Sequence, residues 1–224
     1  MPNPIPAQLR FAVLATDVVC FRVVSGRLEV LLGKVHIPPF YKNRWGLIGG
    51  LIHANETAEQ SVERHLATKA GTTKVYREQL ATFSRIDRDP RNRVISVAYI
   101  ALLSGGEGQE QDDVLGTRWC PITDVPRLAY DHDEILAAGI ERLRSKLSYT
   151  NIARHLMPAT FPLSELQRAY EAVLGHAIDK RNFRKHLHTF TLVKDTGRVL
   201  KKGAQRPAAL YAFTGRGVRV LDLA

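Results

Sequence analysis

Cysteine is nearly missing from this chain: Cys20 and Cys120 are the only two of its 224 residues. Their wide separation offers neither a zinc-ligand spacing nor a disulfide framework, so both read as small buried apolar residues. No apolar run approaches the roughly 18 residues that a membrane-spanning helix requires. The opening MPNPIPAQLR lacks the charged region, apolar stretch and cleavage site of a secretory signal. These absences lead to the expectation of a cytoplasmic chain with no membrane partner. Internal repeats and low-complexity tracts are absent too, which argues against solenoid and fibrous architectures.

Acidic residues are in short supply. Against 32 Lys and Arg stand 22 Asp and Glu, a formal net charge of +10 that favours an anionic partner such as nucleic acid or nucleotide. The deficit is uneven. Residues 150–224 hold 13 Lys and Arg but five Asp and Glu, so this third carries +8 of the total. Near the change, Ile135, Leu136, Ile140, Leu143 and Leu147 recur at helical spacing, and Pro158 and Pro162 then stop any continuation. The chain is expected to divide into domains at 1–148 and 149–224.

In the first part, FAVLATDVVCFRVV, RLEVLLGKV, LATFSRI and RVISVAYIALL read as strands. Thr57 with Gln60 forms a capping box, Ala58 to Ala70 reads as a helix, and Gly71 ends it. Strands around inserted helices predict an α/β sandwich.

The segment WGLIGGLIHANETAEQSVERHLATKAGT resembles the Nudix box, written G-x5-E-x7-R-E-U-x-E-E-x-G-U with U a bulky aliphatic residue. Gly50, Glu56, Arg64, Leu66 and Gly71 fall on its fixed positions. The resemblance implies three further glutamates on one helix face that gather oxygen ligands for Mg²⁺. This chain has His65, Thr68 and Lys69 there. A lysine there adds charge of the wrong sign, and each pair of like unit charges about 4 Å apart costs roughly 4 kcal/mol at an effective dielectric near 20. The sequence therefore predicts no catalytic and no metal-binding residues. Glu56, Glu59 and Glu63 share a second acidic face, which keeps open an Mg-dependent ADP-ribose pyrophosphatase working through displaced carboxylates.

What remains is a diphosphate pocket without metal machinery, in which Lys69 and Arg64 supply neutralising charge. RIDRDPRNRVISVAYIAL resembles the segment that follows the box in Nudix proteins of the ADP-ribose group. That resemblance nominates Arg88, Asp89 and Arg91 for the pocket, with Arg44 and Trp45 beside a turn made by Gly49 and Gly50. Trp45 is expected to stack on a base or ribose. The resemblance also pairs Glu56 with Arg64 as a brace between loop and helix.

In the basic third, LSELQRAYEAVLGHAIDKRNFRKHLHTF splits at Gly175 into two helical patterns. Leu163, Leu166, Tyr170 and Val173 mark the stripe of the first; Phe183, Leu187 and Phe190 mark that of the second, and Asp179 is its N-cap. This is a helix-turn-helix pattern. Lys180, Arg181, Asn182, Arg184, Lys185 and His188 lie off the apolar stripe and are of the types that contact phosphates and purine edges. A turn at Asp195 to Gly197 and a basic loop through Lys201, Lys202 and Arg206 complete a winged helix. An RNA-binding or protein-docking module is the competing reading of this third.

Taken over residues 10–215, the chain resembles the Nudix-related transcriptional regulators, the NrtR family, with WCPI, LAYDHDEIL, FPLSELQRAYEAVLG, DKRNFRKHL and RPAALYAF among the segments that carry the likeness. The resemblance implies an α/β Nudix sandwich with a C-terminal winged helix-turn-helix domain. It further implies a homodimeric repressor on double-stranded operator DNA, with NAD metabolism genes as targets, ADP-ribose as effector and no cofactor. Regulators of similar architecture that answer to sugar metabolism are the alternative for the genes.

Overall fold

The computed structural model describes residues 12–105, 116–201, 207–215 and 217–221. By their contacts, the described parts of 1–20, 30–101 and 110–139 form one unit, and those of 21–29, 102–109 and 140–224 another. The dividing line crosses a continuous helix at 139/140, whereas composition placed the change at 148/149.

The first elements are β1 (Val13–Val24), β2 (Arg27–Ile37), β3 (Tyr41–Leu51), α1 (Ala58–Ala70), β4 (Tyr76–Phe83), β5 (Val94–Leu103), β6 (Thr117–Pro121) and α2 (His132–Tyr149). Their sheet runs β4-β5-β1-β3-β2-β6, with β1 also pairing β2. The expected strands are present, although β4 starts at Tyr76 and ends at Phe83 rather than running on to Ile86.

β3 is a correction. Its glycines suggested a turn, yet Gly49 and Gly50 are paired in the ladder with Asp17 and Thr16 of β1. Close approach explains the residue choice: a side chain at Gly49 would overlap the Thr16 carbonyl oxygen. Only glycine lets β1 and β3 meet here.

α1 begins as expected. Thr57 accepts from the Gln60 backbone N–H at 3.3 Å while the Gln60 side chain accepts from the Thr57 N–H at 2.8 Å, and Gly71 closes the helix in the left-handed region. Val62 and Leu66 are fully buried, as are Val18, Ile48 and Ile100 on the sheet. Both cysteines are buried, and neither forms a disulfide.

The later elements are a 3-10 turn (Ile152–His155), β7 (Phe161–Pro162), α3 (Leu163–Leu174), α4 (Lys180–Thr189), β8 (Val193–Leu200) and β9 (Ala208–Phe213). Strands β7, β9 and β8 form a second sheet in that order. Tyr170 of α3 packs edge-on to Phe183 of α4 with ring centroids 5.2 Å apart. Asp179 caps α4, accepting from the Asn182 N–H at 2.8 Å. Leu163 and Phe190, expected in the buried stripes, are half-buried at the helix ends.

Asp195 to Gly197 is not the reversal of the wing. Asp195 Oδ1 accepts from the Gly197 N–H at 2.8 Å and Gly197 has a positive φ, which makes an irregularity inside β8 while pairing with β9 resumes at Val199. The chain reverses between Leu200 and Ala208.

Candidate functional site

α1 carries the face where the Nudix pattern would gather magnesium, and its position is fixed by a brace. Arg64 Nε donates to Glu56 Oε2 at 3.0 Å, and Arg64 Nη2 donates to the Leu51 carbonyl at 3.0 Å. The guanidinium hydrogen bond holds the Glu56 carboxyl down at about 2. On the inward turn, His65 is buried and its Nε2 has no hydrogen-bond partner. Burial, helped by Lys69 and Arg64, lowers the imidazole to about 4 and keeps it neutral. Thr68 Oγ1 turns back to donate to the Arg64 carbonyl at 2.8 Å. Lys69 Nζ donates to the Gly49 carbonyl at 2.7 Å.

This donor set does not fit Mg²⁺, which wants carboxylate, phosphate and water oxygens. The second acidic face is engaged elsewhere. Glu59 accepts from the Tyr99 hydroxyl at 3.1 Å, Glu63 pairs with Arg77 at 3.7 Å, and Glu56 holds Arg64. Among the described residues, no group of three or more His, Cys, Asp or Glu is placed to hold a metal ion.

Against this helix lies a cavity of about 290 Å³ within the first unit. β1 contributes Asp17, β2 Lys34 and His36, β3 Gly49 and Gly50, and α1 Lys69. Arg88, Asp89 and Arg91 enter from the β4–β5 connection, and Tyr130 and His132 from the start of α2. A small, half-open pocket with several cations among apolar walls suits an anionic small molecule.

Its floor is a buried charge network. Asp17 Oδ2 accepts from Arg88 Nη2 at 3.0 Å and from Ser96 Oγ at 2.7 Å, while His132 Nε2 faces Oδ1 at 3.3 Å. His132 Nδ1 accepts the Leu47 N–H at 2.8 Å, which places the ring proton on Nε2, toward Asp17. Burial alone would raise the Asp17 carboxyl; His132, Ser96 and Arg88 together pull it far below the ordinary value. Burial likewise opposes the Asp89 charge, but Arg91, whose Nη2 lies 2.7 Å from Oδ2, holds it ionised and low.

Six of the nine nominated pocket residues line the cavity: Gly49, Gly50, Lys69, Arg88, Asp89 and Arg91. Arg44, Trp45 and Arg64 do not. Arg64 is committed to Glu56 and Leu51. Trp45 has two cations against its ring, Lys34 Nζ at 4.3 Å and Arg118 Cζ at 4.2 Å from the centroid. Arg44 is exposed, 5.9 Å from the Tyr41 ring centroid. The sequence reading missed Asp17, Lys34, His36, Tyr130, Asp131 and His132. Two signals were present: a lone aspartate inside the apolar run of β1, and the polar cluster in LAYDHDEIL.

In the second unit, α4 presents Lys180, Arg181, Asn182, Arg184, Lys185 and His188 to solvent, with Phe183 and Leu187 buried behind them. Lys201 is exposed at the end of β8; Lys202 and Arg206 lie outside the described residues.

Comparison with known proteins agrees with both halves. The NUDIX domain family matches residues 13–139, and the NrtR DNA-binding winged helix domain matches 153–213. An ADPR responsive transcriptional repressor NtrR from Acinetobacter baylyi is 33% identical over 205 residues, 89% of this chain and 81% of the relative. The crystal structure of Shewanella oneidensis NrtR complexed with a 27mer DNA matches with a TM-score of 0.80 and 35% identity over 90% of this chain and 93% of its own. The NUDIX domain of the same protein, crystallised with ADP ribose, matches with a TM-score of 0.54 and 36% identity over 63% of this chain and 94% of that one. With a Nudix fold whose magnesium face is rebuilt, a winged helix with an exposed basic helix, and relatives sharing both along most of their length, the chain belongs to the NrtR family of Nudix-related transcriptional regulators.

Proposed function

We propose that the protein is a cytoplasmic, homodimeric repressor of NAD metabolism genes, released from operator DNA when ADP-ribose fills the cavity beside α1. The observation that carries the reading is that each unit bears its own basic surface. A cationic cavity lacks the carboxylates for hydrolysis, and a separate unit bears six exposed polar or basic residues on one helix. The ADP-ribose and DNA complexes of the Shewanella relative support the same assignment of ligands.

In this reading the effector binds and is not consumed, so the chain is a sensor without pyrophosphatase activity. A dimer places two copies of α4 against half-sites about one helical turn apart, or a multiple of that. Effector control needs a coupling free energy of only about 1–3 kcal/mol, and operator DNA must weaken ADP-ribose binding by the same factor. The domains expected at 1–148 and 149–224 divide these tasks.

The test uses an operator selected from a random duplex pool with the full chain. Saturating ADP-ribose is expected to weaken binding by fluorescence anisotropy roughly 5- to 150-fold. Unchanged affinity rejects effector control. Phosphorus NMR of ADP-ribose with protein and Mg²⁺ is expected to show broadening without AMP; accumulation of AMP returns the enzyme.

A further inference from the structure

We infer that Lys69 is a tethered substitute for the divalent cation of this fold, so that the cavity binds a diphosphate without any metal. The inference rests on the reading of the cavity as the ADP-ribose site and states how that site handles charge.

The bases around the cavity differ in what they already hold. Arg88 is spent on Asp17 and Asp131, Arg91 on Asp89, and Arg64 on Glu56 outside the lining. Lys34 lies against the Trp45 ring. Lys69 reaches the cavity with a neutral acceptor, the Gly49 carbonyl at 2.7 Å, and among the described residues no ion pair engages it.

An ammonium has three donors, and one on Gly49 leaves two for ligand oxygens. Burial opposes the lysine charge, with Asp17 partly offsetting this, so a bound anion removes a penalty that the free protein carries. Asp17 also lines the cavity and would repel a diphosphate, but its oxygens are occupied by Arg88, Ser96 and His132. A divalent ion approaching the Gly49 carbonyl meets the ammonium already bonded there and is repelled. The carbonyl is thus served by a cation that the chain supplies itself. Lysine acts on phosphate as a point charge, so it can occupy a metal's electrostatic role without ligand geometry.

The experiment is calorimetry of ADP-ribose with the full chain, once in excess EDTA and once in millimolar MgCl2. The two dissociation constants are expected to agree within about twofold, and Lys69→Met to weaken binding at least about tenfold in both buffers, circular dichroism unchanged. Tightening of the parent by about tenfold on adding Mg²⁺ overturns the inference while leaving the ADP-ribose site in place. Parent-like binding by Lys69→Met overturns it as well. Absence of binding in either buffer removes the site itself and the inference with it. The comparison of buffers needs no variant, so a poorly folding substitution does not protect the idea.

Discussion

Arg88 and Asp131, 43 positions apart in sequence, meet in a buried bidentate pair: Nε donates to Oδ2 at 2.9 Å and Nη2 to Oδ1 at 2.7 Å. The side chains are 3% and 1% exposed, and the same Nη2 also reaches Asp17. An arginine so engaged shapes the cavity wall and has little left for a ligand. Arg88→Met strands two carboxylates and is expected to cost about 3–5 kcal/mol of stability, read by urea denaturation. An unchanged unfolding midpoint with lower ADP-ribose affinity would make Arg88 a ligand contact instead.

On α4 the expectation is the reverse, loss of binding without loss of fold. Arg181 and Arg184 are exposed, off the side that buries Phe183 and Leu187. Arg181→Ala and Arg184→Ala are each expected to lower operator affinity by about 1–3 kcal/mol if they read a base. A phosphate contact lowers the salt slope by about one instead. Thermal melts should overlay the parent. Parent-like DNA binding by both variants places the recognition surface elsewhere.

The helices were legible because their ends are local chemistry: Thr57 with Gln60, Gly71 and Asp179 announce caps within four residues of the element. β3 was not, since its glycines answer to partners that sequence does not show, above all the Thr16 carbonyl. The same divide runs through the cavity. Lys69, Arg88, Asp89 and Arg91 were nominated from the Nudix resemblance, as was the Glu56–Arg64 brace. Asp17 and His132 came together only by folding, 115 residues apart. Trp45 was nominated as a stacking ring because an aromatic beside a glycine run looks free in sequence; folding sets Lys34 and Arg118 against it and leaves it outside the cavity lining.

Of the two rings, Tyr130 lines the cavity and is therefore the one expected to stack on the ligand. Its ring lies at the cavity wall, edge-on to Tyr41 at 4.9 Å, with Arg91 5.8 Å from its centroid. The backbone there is left-handed, with φ of 56°, a cost of order 1 kcal/mol that a bulky residue carries only where the surroundings impose it. Tyr130→Ala is expected to weaken ADP-ribose binding about 5- to 20-fold and Tyr130→Phe to leave it nearly unchanged, as loss of a stacking face predicts. Trp45→Ala should shift the ligand affinity less than about twofold. The opposite order among these variants by calorimetry would return the role to Trp45.

His65 sets a pH dependence of stability. Burial lowers its imidazole to about 4, and the unfolded chain takes up the proton near pH 6.5. Because the folded pKa is the lower one, the contribution of neutral His65 is complete above pH 6.5. It is lost as pH falls toward 4 and changes no further below that. At roughly 1.4 kcal/mol per pH unit the loss is on the order of 3 kcal/mol. His155, also lowered to about 4 by burial, adds a loss in the same window. His65→Met removes one of the two protons and the buried nitrogen that lacks a partner. Chemical denaturation at pH 7, 6, 5 and 4.5 is expected to show a shallower decline for the variant than for the parent. Parallel curves would mean that His65 takes up its proton in the folded protein as readily as in the unfolded chain, so that its burial contributes nothing to the pH dependence.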